Sequence, residues 1–585
     1  MKKVLSIMLV LAMVLSLAAC GGKPAETTTA PAQSTQAPAP AQTTKSGGDT
    51  TPTTPPETTN PNMDPKLYGG DFNVRFAYLS NSVDVQQGWG LFANRQWSKC
   101  IYETALGLGA DCNLYPLICT YKMSDDGKEL TLTVRDYCFS DGTKVTIEDV
   151  VSSAQRMAIY QKAFREAFFG HVIEEKIDGN SVIYKFDSPG PLYLYYAGYS
   201  FVVSKKSIND EHLPEGFQPF NKDHIEDYGQ AGTDCMILDE AEVIGTGPYM
   251  LDTYEPDTQI LLKRNPNYVT FENGGNGMGG PKYAYPDAIN FLVNLDATSS
   301  AAAMVNGDYD IGGVTADLES QAIAAGCKLN LMPNQWTHAI FFNLSEYNKD
   351  SIVNNVDFRK AVLYAIDPTA VLLAIFPSAE RFYLDPSAVS PLNTTYFNHI
   401  FEEKAYNCYD VEKAKEYLKK SGYDGKEEIV YLTNQSGAFY NATMTVIPYL
   451  EAIGIKVKLW SVDGGSHGTL RGDPKNEYDI GCWETQKGEY LPINCTNLCG
   501  MAKSNGWDSA KRDEYINIIR TTPYGSAESV KAYEDLCNLI AEEQPFVVFG
   551  TGRTGSWVSK WVDKLNYEGT DAYYWNISVS SKLKK

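Results

Sequence analysis

The chain reads as an α/β protein of more than one domain, and three observations predict it. Leu130, Leu132 and Val134 alternate with Thr131 and Thr133, the two-residue period of a half-buried strand. Val150, Val151, Ala154, Met157 and Ala158 recur at helical spacing, as do Phe358, Ala361, Val362, Ala365 and Ile366. From about Lys66 to Lys585 the composition is globular, rich in the chain's 38 Tyr, 23 Phe and 9 Trp. Roughly 520 such residues exceed what one hydrophobic core holds.

At the N-terminus, Lys2-Lys3 precede an apolar run that ends in Leu17-Ala18-Ala19-Cys20. The sixteen residues from Val4 to Ala19 are too few for a membrane span and suit a cleaved signal. The pattern resembles a bacterial lipoprotein signal, which implies that Cys20 becomes a lipidated N-terminus; the alternative is an ordinary secretory signal with a chance cysteine. Two or three acyl chains hold a protein on a membrane where one does not. Gly21 to about Asn62 is almost all Thr, Pro, Ala, Gln, Gly and Ser, so it has nothing to pack and reads as a disordered tether. Its expected span is roughly 40 Å when flexible.

Further along, Ser124-Asp125-Asp126-Gly127 marks a turn before the strand at Leu130, and Phe139-Ser140-Asp141-Gly142-Thr143 marks another. Thr146 with Asp149 forms a capping box for the helix that follows. Ile244-Gly245-Thr246-Gly247-Pro248-Tyr249 feeds a strand that returns at Ile260 to Tyr268; it lacks the lysine and helix of a phosphate loop. Asn355 or Asp357 caps the helix that carries Phe358 and is ended by Asp367-Pro368. Asn273-Gly274-Gly275-Asn276-Gly277-Met278-Gly279-Gly280 has no carboxylate for calcium and reads as a mobile loop.

The net charge of −22, without basic and aromatic residues interleaved, argues against nucleic acid as a partner. Of the twelve cysteines, eleven remain beside Cys20; scattered singly, most read as small buried apolar residues rather than a disulfide framework. Cys495 and Cys499 lack a second ligand pair at zinc-like spacing, so no metal or other cofactor is expected.

Six blocks in order carry a resemblance. They are Tyr102-Glu103-Thr104; Ser124 to Asp136 with Ser140 to Val151; Gly245 to Tyr249; Lys263-Arg264-Asn265-Pro266; Asp357 to Asp367; and Ala414-Lys415 to Gly422-Tyr423. Together they resemble the family 5 extracellular solute-binding proteins, the peptide- and nickel-type receptors of ABC importers. The resemblance implies a two-lobed periplasmic-binding-protein-like fold of class II (cluster C) type, which traps a ligand by hinge closure. It implies a signal at 1–19, a lipid-anchored linker at 20–65, a first lobe built from 66–99, 231–314 and 541–585, a subdomain inserted at 100–230, and a second lobe at 315–540. The implied partners are a small ligand, most readily an oligopeptide, and permease subunits, with the protein itself a monomer.

Peptide receptors of this family hold the ligand's amino group with an aspartate just after a Trp. Here Tyr478-Asp479-Ile480-Gly481-Cys482-Trp483 is followed by no such aspartate, and Glu489 before Tyr490 is the expected substitute, against a solvated loop glutamate. Trp336 and His338, just before the strand Ile340-Phe341-Phe342-Asn343, and Trp483, after the strand from Tyr478 to Cys482, are expected in the cleft, with Tyr78 facing them from the other lobe. Core packing is the competing role for each aromatic. Two other readings stay open: an oligosaccharide ligand on the same fold, and a sensor role. A carboxylate-dependent hydrolase is the reading of another class. The six histidines are dispersed, and no nucleophile elbow or zincin helix appears.

Overall fold

One mixed sheet runs through the molecule. The computed structural model describes residues 64–76, 83–87, 92–208, 212–214, 217–225, 237, 239–255, 258–294, 296–471, 473, 475, 477–487, 498–565, 567–568 and 571–584. The strands used below are β1 (Asp71–Phe76), β2 (Leu106–Leu108), β3 (Leu114–Pro116), β4 (Cys119–Met123), β5 (Glu129–Val134), β6 (Val172–Asp178), β7 (Ser181–Phe186), β8 (Tyr249–Glu255), β9 (Gln259–Arg264), β10 (Ala288–Val293), β11 (Ile311–Gly312), β12 (Lys328–Phe342), β13 (Phe382–Tyr383), β14 (Glu428–Asn434), β15 (Lys456–Val462), β16 (Ile480–Gln486) and β17 (Phe546–Val558). Eleven of them form the sheet, in the order β15-β14-β16-β12-β17-β11-β1-β10-β9-β8 with β13 beside β17.

The helices used below are α1 (Ile147–Tyr160), α2 (Leu192–Tyr199), α3 (Val356–Ala365), α4 (Pro368–Ile375), α5 (Ala438–Ala452), α6 (Gly464–Arg471), α7 (Ala510–Thr521) and α8 (Ala527–Glu543).

The apolar residues gather into two large clusters, one per lobe. In the first lobe Phe72, Val74, Ile289 and Phe291, from the buried parallel pair β1 and β10, meet Trp97 and Trp575. In the second, Ile340, Phe341, Ile429, Tyr431, Ile480, Trp483 and Phe546 are fully buried. The long antiparallel strands β12 and β17 belong to both lobes. Their ends at Lys328 and Val558 pair beside β11, and their ends at Phe341 and Phe546 lie in the second core.

The four-stranded antiparallel sheet β4-β5-β7-β6 adds to the first core. Leu130, Leu132 and Val134 point inward as their alternation predicts, while the Thr133 hydroxyl meets the Ser181 hydroxyl across strands at 2.7 Å. The α1 capping box is present: the Thr146 N–H donates to the Asp149 carboxylate at 2.8 Å, and the Asp149 N–H donates back to the Thr146 hydroxyl. Of the two candidates for the α3 cap, Asn355 makes the bond, accepting from the Asp357 N–H at 2.8 Å; Asp367 and Pro368 both stop α3 and start α4.

One expectation fails. The glycine-rich stretch from Asn273 to Gly280 is packed, not mobile, because its glycines let two backbones touch. A Cβ on Gly107 would lie 2.5 Å from the Gly279 Cα. Asn276 accepts the Ala110 N–H at 2.8 Å, and Asn273 donates to the Pro116 and Gly279 carbonyls, so the stretch braces the β2–β3 hairpin. Of the nine described cysteines seven are buried, as small apolar residues would be.

Candidate functional site

Strand direction locates the site. β14, β15 and β16 run parallel, and β12 runs antiparallel to β16 with Trp336 opposite Gln486. β12 enters the second lobe at Trp336, so the carboxyl ends of β14, β15 and β16 face the first lobe. β1, β10 and β11 run parallel to one another, and β11 runs antiparallel to β17, which puts their carboxyl ends toward the second lobe. Ligands of open α/β sheets bind outside the carboxyl ends of strands. Here two sets of such ends oppose each other across a cleft floored by β12 and β17.

At that floor the ladder is broken. Pairing skips from Pro333–Arg553 to Thr337–Thr551, which leaves extra residues on β12, and shifts again between His338 and Ala339. Trp336 sits in the first bulge with 41 % of its surface exposed. Gly550, in the second, has φ +147°, and a Cβ there would lie 2.5 Å from the Tyr383 carbonyl oxygen. Across the break the Thr337 and Thr551 hydroxyls lie 3.3 Å apart, and Thr551 donates to the Asp385 carbonyl at 3.1 Å. The Asp385 carboxylate in turn takes the ammonium of Lys487, which also donates to the Ser387 hydroxyl at 3.1 Å. Burial pushes the Lys487 pKa below the usual lysine range, and Asp385 opposes that push.

The second-lobe wall holds His338 and Glu484, neighbours across the β12–β16 ladder. The His338 Nε2 lies 3.7 Å from Glu484, its Nδ1 has no hydrogen-bond partner among the described residues, and burial lowers its pKa to about 4, so the ring is neutral. Its edge packs on Phe376 at 5.4 Å. The Glu484 carboxyl, 39 % exposed, is raised by partial burial. Nearby, α5 begins at Ala438 without a side-chain cap, and Phe439 in its first turn packs against both His338 and His467.

Trp483 is placed differently from its expected position. It lies within β16, not after it, and is fully buried, stacked on Phe341 at 5.0 Å and an interplanar angle of 7°. Cysteine and tryptophan on adjacent positions point to opposite faces of a strand, and the tryptophan face here is covered. Tyr78, Glu489, Tyr490 and Cys20 lie outside the described residues.

In the first lobe, the described residues 83–87 are anchored by Asp84. Its carboxylate pairs with Arg156, both fully buried, and accepts the backbone N–H groups of Gln86, Gln87 and Ile237 at 2.9 to 3.1 Å. Burial alone would raise its pKa, but the guanidinium and those N–H groups hold it below the usual range. Asp84, Asp385, Glu484 and Lys487 were not singled out from sequence; each is a lone charge whose partner is distant along the chain.

The model of the bacterial extracellular solute-binding proteins, family 5, matches residues 113–496, more than half of the chain. The chain belongs to that family. A probable peptide ABC transporter periplasmic-binding protein of Sinorhizobium fredii is 25% identical over 76% of this chain and 81% of its own. The fold matches the Listeria monocytogenes ABC transporter substrate-binding protein CtaP with a TM-score of 0.66, covering 88% of this chain and 100% of that one at 16% identity. It also matches the oligopeptide-binding protein AppA of Bacillus subtilis, solved with a nonapeptide, with a TM-score of 0.61, 88% and 99% coverage and 17% identity. The two-lobed architecture is therefore that of the solute-binding receptors. Among the described residues no helix is long and apolar enough to cross a membrane.

Proposed function

We propose that this receptor delivers oligopeptides to an ABC importer, closing its two lobes about β12 and β17, and that it is held at the outer face of the cell membrane by a lipid on Cys20. The observation that carries the reading is the cleft: the carboxyl ends of two sets of parallel strands face each other over a bulged, two-strand floor where Trp336 stands exposed. The relative's name and the nonapeptide in the fold neighbour support a peptide as the occupant. In this reading the protein binds its ligand and does not transform it.

A peptide offers backbone amides common to all sequences and a terminal ammonium that needs a carboxylate. Glu489, in the segment after β16, takes that ammonium, with Tyr490 beside it. Trp336 and Tyr78 flank the ligand from the two lobes, and His338 supports the wall. Trp483 contributes by holding β16 in place.

Calorimetry on the soluble Cys20→Ser form, with defined tripeptides, a mixed oligopeptide pool and oligosaccharides in parallel, tests the assignment. Peptide binding that Glu489→Gln weakens by about 2 to 5 kcal/mol is expected, the usual cost of an unpaired buried charge. Binding of oligosaccharides alone, with Glu489→Gln silent, overturns the peptide reading and leaves the receptor fold standing.

A further inference from the structure

We infer that the β2–β3 hairpin and α2 form a clasp between the lobes, a contact separate from the β12–β17 hinge that sets how readily the protein opens. Both elements face two ways. Leu106, Tyr193 and Ala197 are buried in the first core, whereas Leu108, Leu114, Leu192 and Tyr195, from the same elements, pack against the second core. The α2 sequence, Leu-Tyr-Leu-Tyr-Tyr-Ala-Gly-Tyr, is apolar on every side. A helix of that kind is stable only when more than one face is covered, and here one face is covered by each lobe.

The hairpin is a preformed object. Gly107 presses on Gly279, Asn276 holds the Ala110 N–H, and the Tyr115 hydroxyl donates to the Asp111 carboxylate at 2.6 Å across the tip. On the second lobe the facing element is the α7–α8 connection. Its Pro523 and Tyr524 line a cavity of about 310 Å³ together with Asn113, Leu114 and Leu194. Tyr524 is itself positioned, with its ring edge-on to Tyr396 at 5.4 Å.

Rotation about β12 and β17 must separate these surfaces and wet Leu108, Leu114, Leu192 and Tyr195. The clasp therefore favours the closed form whatever the ligand, and the apparent affinity scales with the closed fraction it sets. A ligand-free test keeps this separate from the peptide assignment. Small-angle scattering on the Cys20→Ser form should give a larger radius of gyration for Leu114→Ala, from the hairpin, and for Tyr524→Ala, from the second lobe, two residues that line the same cavity. The double variant should open no further than the single ones, because both remove one contact. Leu108→Ala, at a residue that also packs against the second core, replaces Leu114→Ala should that variant not fold. Unchanged scattering in the single variants overturns the clasp, as does opening that adds in the double variant.

Discussion

Lys487 is buried at the carboxyl end of β16 with its ammonium on the Asp385 carboxylate, and the Asp385 carbonyl is bonded to Thr551 of the hinge strand β17. A charge pair thus fixes the second lobe to its hinge. Asp385→Asn leaves a buried ammonium without a counter-charge, and urea unfolding should show a loss of about 3 to 5 kcal/mol, with much of it regained in Asp385→Asn/Lys487→Met. Lys487 already has a folded-state pKa below 10.5, and the single variant lowers it further. Between that value and 10.5 the unfolded chain binds more protons, so the single variant should gain stability as pH rises from 7 to 10, more steeply than the double variant.

His338 predicts an acid-side effect. Its pKa is about 4 in the fold against 6.5 unfolded, so the unfolded chain binds more protons throughout that window and stability falls as pH is lowered through it. The share of His338 is about 3 kcal/mol. His467, desolvated by burial and beside Arg471, is pushed the same way, while the raised Glu484 acts in the opposite sense; both remain in His338→Gln. Urea unfolding from pH 7 to 4 should give a shallower decline for that variant than for the wild type.

Two tryptophans separate binding from stability. Trp336→Ala removes an exposed ring and should weaken the ligand by about 1.5 to 3 kcal/mol, read by calorimetry, with the urea midpoint unmoved. Trp483→Ala empties a site stacked on Phe341 and should cost about 3 to 5 kcal/mol of folding stability.

Cys20→Ser should abolish incorporation of a labelled fatty acid and move the protein from the membrane to the soluble fraction. A wild-type chain that takes up no label, or a variant that stays equally membrane-bound, contradicts the anchor.

Local chemistry was legible in the sequence wherever a side chain meets its own neighbours. Thr146 and Asp149, Asn355, Asp367-Pro368 and the Leu130 to Val134 alternation all form as their spacing requires. Order along the chain also carried the family resemblance. The cleft was less legible because it is made by direction and register, not by spacing. β12 and β17 pair residues more than two hundred positions apart, and their bulges follow from that pairing. Trp483 was misplaced because a strand end read from hydropathy stopped at Cys482, while pairing with Ala339 carries β16 on to Gln486. The glycines from Gly274 to Gly280 signal freedom when read alone; only Gly107, far upstream, shows that they exist for close contact.

The placement of β17 bears on how the molecule is made. Synthesis delivers β1 first, yet the sheet it founds gains its last described strand of the main ladder only at Val558, and the surrounding core is filled by Trp575, Ile577 and Val579. The second lobe has all its buried strands once Phe549 has emerged. A ribosome that stops after Phe549 therefore releases a chain whose second lobe has its strands, while Phe72 of β1 still lacks Tyr574, the ring that packs on it at 5.9 Å. The lobe that was begun first is thus the last to have its core filled.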